Sequence, residues 1–89
     1  MRAVKCVEWG PPEKLVVADV EVPEPGPGEV RVRVAAAGIN FPDALIVQKK
    51  YQVQPLLPFT PGTEVAGTVD KVGEGVRHVQ AGDRVIAFV

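Results

Sequence analysis

Apolar and polar positions alternate along most of this 89-residue chain. In "EVRVRVA", Val30, Val32 and Val34 fall on one face and Arg31 and Arg33 on the other, the period-2 pattern of a half-buried antiparallel strand. "RAVKCVEW", "KLVVADVEV", "TEVAGTVDKV" and "DRVIAFV" are rich in β-branched residues and carry the same signal less cleanly, which brings the predicted strands to five. The connections "GPPE", "PEPGPGE", "PLLPFTPG" and "GEGVRHVQAG" combine Pro, which fixes φ and removes a ladder donor, with Gly, which admits positive φ. Short strands separated by turns this frequent predict a mostly β chain folded as a barrel.

One segment breaks the rhythm. In "AAAGINFPDALIVQKKY", Ala35 to Tyr51, Asn40 can cap a helix, Pro42 is tolerated in a first helical turn, and Asp43 suits the positive end of the helix dipole. A short helix is predicted from about Phe41 to Gln48. Lys49 and Lys50 read as its solvated end, complementing the dipole. From local physics alone, Asn40 is a cap.

Composition narrows the function classes. Ten Lys and Arg against eleven Asp and Glu give a formal charge of −1, with no block of like charge that would gather phosphates, so nucleic acid is excluded as a partner. The single Cys6 cannot form an internal disulfide and suits a reducing, cytoplasmic compartment. It has no neighbouring His, and Lys5 on a strand faces the other way, so Cys6 is assigned no catalysis. "MRAVKCVEWG" has no long apolar core of a signal peptide, and no apolar run approaches the ~20 residues of a membrane helix. The chain fits one domain of modest core. His78 reads as an exposed loop residue, and Gly62 and Gly67 as sites of close approach or bulging. No G-x-G-x-x-G follows a strand; "GPGE" and "GEGV" lack both the spacing and a following helix.

Three pieces carry a resemblance: "AGINFPDAL", "PFTPGTEVAGTV" and "VGEGVRHVQAGDRV", in that order. Together they resemble the catalytic, GroES-like domain of the medium-chain dehydrogenase/reductase superfamily, and within it the zinc-independent quinone oxidoreductases. The likeness runs from "MRAV" to "GDRVIAFV". It implies that residues 1–89 form the N-terminal part of a GroES-like, partly open β-barrel with one or two short helices. It also implies a Rossmann cofactor domain outside this stretch and later strands that complete the catalytic domain.

The resemblance further implies chemistry. Alcohol dehydrogenases of the superfamily place zinc-binding Cys and His where this sequence has Asn40 and Thr63, and an amide and a hydroxyl are poor zinc ligands. No metal is expected, and Glu64 of the same motif reads as a hydrogen-bonded structural acid. Without a Lewis acid a simple ketone is a poor substrate, whereas a quinone or enone accepts hydride with delocalised charge. The implied activity is hydride transfer from NADPH to a small-molecule quinone or activated alkene, in a full-length enzyme that is a cytoplasmic homodimer needing neither nucleic acid nor membrane. Asn40 is the implied catalytic and cofactor-contacting residue, its amide donating to a carbonyl and accepting from a carboxamide. Tyr51 is the implied substrate-binding residue, able to stack on a flat ring, against the alternative of a Tyr packed on the barrel surface. The 89 residues alone are expected to be inactive and to bind no NADPH saturably. Two other readings stay open: an enoyl-thioester or alkene reductase of the same superfamily, and a free-standing GroES-like binding module. Against the latter, "QPLLPFTPG" is short and Pro-rich, unlike the long mobile loop of a co-chaperonin.

Overall fold

The computed structural model describes Met1–Val89 and divides into two compact units, Met1–Glu21 with Ile39–Thr63, and Val22–Gly38 with Glu64–Val89. All five expected strands form: β1 (Arg2–Lys5), β2 (Val16–Asp19), β3 (Val30–Gly38), β4 (Glu64–Val72) and β5 (Arg84–Phe88). The expected helix is α1, Phe41–Val47, and a single 3-10 turn at Pro12–Lys14 is the only other helical piece. The protein is mostly β with open rather than closed sheets, in keeping with a GroES-like domain. No helix is long and apolar enough to cross a bilayer.

The second unit is built on an antiparallel sheet of order β3-β4-β5. Its register slips twice. Arg31 pairs with Lys71 and Val32 with Val69, leaving Asp70 unpaired; Val34 pairs with Gly67 and Ala36 with Ala66, leaving Ala35 unpaired. Each extra residue re-aims the side chains beyond it. The clean in-out alternation expected of "VRVRV" is therefore not realised: Val30, Arg31 and Val32 are all half-buried, while Val34 is 52% exposed. Arg31 is accommodated because its guanidinium is satisfied, Nε donating to Asp70 Oδ1 at 2.8 Å and Nη1 to Glu24 Oε1 at 3.2 Å and the Pro23 carbonyl at 3.3 Å. Lys71 pairs with the other oxygen of Glu24. Hydrogen bonding to Lys71, its charge and that of Arg31 hold the Glu24 carboxyl below the ordinary carboxylate range, and Asp70 holds Arg31 above its own.

Two glycines fix how closely β3 and β4 approach. A Cβ on Gly67 would lie 2.0 Å from the Arg33 carbonyl oxygen, and one on Gly38 would lie 1.9 Å from Glu64 Oε1. The first obstacle is backbone and cannot swing away; the second is the end of a side chain. Gly67 is thus the close-approach residue its sequence context suggests. Val69, 1% exposed, is the fully buried side chain of this unit.

The first unit pairs β1 with β2 in an antiparallel ribbon, with Arg2 opposite Asp19, Ala3 opposite Ala18, Val4 opposite Val17 and Lys5 opposite Val16. Both strands are shorter than their β-branched runs. Beyond Lys5 the chain leaves the ribbon because Cys6 pairs instead with Phe59, its N–H donating to the Phe59 carbonyl at 2.8 Å and its carbonyl accepting at 3.1 Å. The Cys6 side chain is 1% exposed, its thiol donating to the Glu8 carbonyl at 3.3 Å. Trp9 packs on Phe59 with ring centroids 5.7 Å apart.

Helix α1 begins where the sequence places it and ends in a tight reversal. The Lys49 N–H reaches the Ile46 carbonyl at 3.0 Å and the Lys50 N–H the Leu45 carbonyl at 2.9 Å, the two bonds of a Schellman closure. That closure puts Lys49 at φ +60°, a conformation that usually calls for Gly. Lys49 is therefore past the helix rather than in its last turn, and its ammonium lies 5.8 Å from the Trp9 ring centroid instead of simply facing the dipole.

Candidate functional site

Asn40 stands at the entry of α1 in extended geometry, φ −123° and ψ 165°. It forms a capping box with Asp43: the Asn40 N–H donates to Asp43 Oδ2 at 2.8 Å. The Asn40 side chain, turned toward the Asp43 N–H, closes no cap hydrogen bond of its own, because that N–H goes to the Asn40 carbonyl at 3.0 Å. Helix entry is thus secured by main chain and by Asp43. The Asn40 residue is exposed; its side-chain oxygen faces the Asp43 N–H in the capping box, and the N–H donors of its amide are left for a ligand.

Its neighbours give that amide a setting. Ile39, 90% exposed, and Phe41, 77% exposed, precede and follow Asn40 in the chain. Exposed apolar residues next to an amide with open donors are compatible with a flat, apolar ligand that has one polar edge. Sequence reasoning singled out Asn40 and missed this pair. The signal available was only that both neighbours of a cap residue are large and apolar.

Tyr51 is half-buried beyond the other end of α1, its carbonyl accepting weakly from Gln54 Nε2 at 3.4 Å. The two ends of the seven-residue helix are about 10 Å apart, so the fold does not bring the Tyr51 backbone against Asn40. Thr63 is exposed at the end of the first unit, and Glu64 is half-buried at the start of β4, its carboxylate lying across Gly38. The Glu64 carboxylate fills the space a Cβ on Gly38 would take, so the two residues are matched in size across β3 and β4. His78 is exposed in the connection between β4 and β5. No group of three or more His, Cys, Asp or Glu side chains comes together in the protein.

Comparison with known proteins agrees with this architecture. Residues 26–89 match the alcohol dehydrogenase GroES-like domain. Rat quinone oxidoreductase is 43% identical over 89 residues, which is 99% of this chain and 27% of that protein. The crystal structure of the human synaptic vesicle membrane protein VAT-1 homolog-like protein superposes with a TM-score of 0.94 at 40% identity, covering 100% of this chain and 29% of that one. The Escherichia coli quinone oxidoreductase complexed with NADPH gives a TM-score of 0.91 at 41% identity, over 97% of this chain and 26% of that one. The chain spans about a quarter of the length of the relatives it matches. It belongs to the alcohol dehydrogenase GroES-like domain family, and the relatives it resembles include quinone oxidoreductases.

Proposed function

We propose that these residues form the N-terminal part of the catalytic domain of a zinc-independent, NADPH-dependent quinone oxidoreductase, with the cofactor held mainly by a domain outside residues 1–89. The observation that carries this reading is the exposed Asn40 at the entry of α1, its amide donors unpaired, with exposed Ile39 and Phe41 adjacent in the chain. NADPH, when bound, supplies the hydride. The work left to this chain is to orient a nicotinamide or quinone and to stabilise the negative charge that develops on the acceptor oxygen. An amide does both without ionising, since its N–H donors suit a carbonyl oxygen and its own oxygen suits a carboxamide N–H. The charge on a reduced quinone is delocalised over the ring, so a hydrogen-bond donor suffices where an alkoxide would call for a metal. An amide at residue 40 and a hydroxyl at residue 63 fit this chemistry better than zinc ligation. Tyr51 is proposed as a substrate contact from the far end of α1, and the working protein as a cytoplasmic homodimer.

The test is Asn40→Asp in the complete natural polypeptide, assayed with NADPH and 1,4-benzoquinone. Asp caps a helix about as well as Asn, and the bond from the residue 40 N–H to Asp43 is unaffected, so the melting temperature should hold. The rate should fall on the order of tenfold to a thousandfold, because an acceptor-only carboxylate replaces the donor beside a developing negative charge. Wild-type rates with an unchanged melt would return Asn40 to a structural role.

A further inference from the structure

Asp43 is buried out of proportion to what a helix cap needs. The third position of a capping box is served well by a surface Glu or Gln. Here it is an Asp only 6% exposed, one of its carboxylate oxygens taken by the Asn40 N–H at 2.8 Å and the other, Oδ1, buried without a partner. Carboxylates are seldom buried unless something is gained by it, and one buried with a single oxygen satisfied is a cost to the fold. The helix it serves is seven residues long and already has Pro42 in its first turn and an Asp43 N–H bonded to the Asn40 carbonyl. Its start does not call for a buried acid. What the buried acid does fix is the main chain of Asn40. A short, two-torsion side chain locked in the interior holds the Asn40 N–H from below, and so sets the direction in which the Asn40 side chain leaves the backbone between Ile39 and Phe41. A longer, solvent-facing Glu would leave that direction loose.

We infer that Asp43 is a positioning residue for the ligand-facing amide of Asn40, acting through its bond to the Asn40 main chain. The inference rests on the reading of Asn40 given above. Asp43 itself touches neither substrate nor cofactor, because both of its oxygens are inside: Oδ2 is occupied by the Asn40 N–H and Oδ1 has no solvent exposure. Within residues 1–89 the hydrogen bond the carboxylate makes is the one to the Asn40 N–H.

The experiment is a double-mutant cycle in the complete natural polypeptide, read as kcat and KM with NADPH and 1,4-benzoquinone alongside thermal melts. Asp43→Ala should lower kcat/KM about tenfold to a hundredfold, the scale of a modest misplacement of a contacting group. In an Asn40→Ala background the same change should alter it less than about twofold, because the residue being positioned is gone. Asp43→Asn keeps an acceptor oxygen for the Asn40 N–H and should recover most of what Asp43→Ala loses. That rescue also covers an Asp43→Ala protein too unstable to assay, since Asp43→Asn alone then carries the comparison with Asn40→Ala. Losses that multiply in the double variant would overturn the inference while leaving Asn40 in the site. An Asn40→Ala protein with wild-type rates would remove the site reading first, and the inference with it.

Discussion

Each of the two units is held together internally by its own means. In the second, three antiparallel strands approach so closely that no atom can be added at Gly67, and both register slips are built into long, regularly bonded ladders. In the first, a four-residue ribbon, one isolated bridge and a seven-residue helix supply the regular structure. A two-stranded ribbon is marginal in water, and a helix shorter than about 12 residues does not stand by propensity. The first unit depends instead on its few buried apolar side chains, Cys6 and Val47. The sheet is therefore intolerant of additions to its backbone contacts, and the helical unit of deletions from its side chains. The side chains proposed to meet ligand belong to the unit with the less regular frame.

That contrast can be broken or sharpened by substitution in the complete polypeptide. Gly67→Ala should cost the most, about 3 kcal/mol by denaturant unfolding, since the new methyl group meets the Arg33 carbonyl and the strands must separate to admit it. Val47→Ala should cost about 2 kcal/mol by removing a side chain that is 2% exposed. If Gly67→Ala proved the milder of the two, the distinction between the units would fail. Lys49→Gly is the one deletion in the first unit that should stabilise. It relieves a positive φ worth about 1 kcal/mol and gives up an exposed cation–π contact of about 0.5 kcal/mol, so the melting temperature should rise by about 1 °C. The smallest effect belongs to Glu24→Gln. Because the Glu24 carboxyl is held below its ordinary value of 4.5, its stabilisation is present above that pH and lost as pH falls through the lower folded value. Glu24→Gln should flatten the stability curve in that acid window, change little near neutrality, and differ even less from wild type in high salt.

The strands, the helix and the turn-rich connections were legible because each is announced locally, by β-branched runs, by Asn40-x-Pro42-Asp43, and by Pro and Gly clusters. What could not be read was whatever depends on two distant segments at once. The bulges at Ala35 and Asp70 exist only in the pairing of β3 with β4, so Val34 was assigned to an inward face it does not occupy. The early end of β1 is set by Phe59, more than fifty residues away, taking Cys6 out of the ribbon. Likewise, Asp43 carries a surface residue's sequence signature, a first-turn acid at a helix dipole, and only the packed unit reveals that it is buried. Asn40 was found from its place before Pro42 and from family resemblance, while the freedom of its amide is a fact of three-dimensional bonding.

That freedom has an evolutionary consequence. Since main chain and Asp43 already secure the start of α1, residue 40 is a replaceable fitting on a stable mount. Selection can exchange one functional group for another there, amide, thiol, hydroxyl or imidazole, while the helix beneath it keeps its start. A saturation library at residue 40 should accordingly yield mostly folded protein with widely differing reactivity, whereas a library at residue 43 should lose activity wherever the acceptor for the Asn40 N–H is lost. A lineage that varies its chemistry at this point can do so one substitution at a time, without passing through an unfolded ancestor.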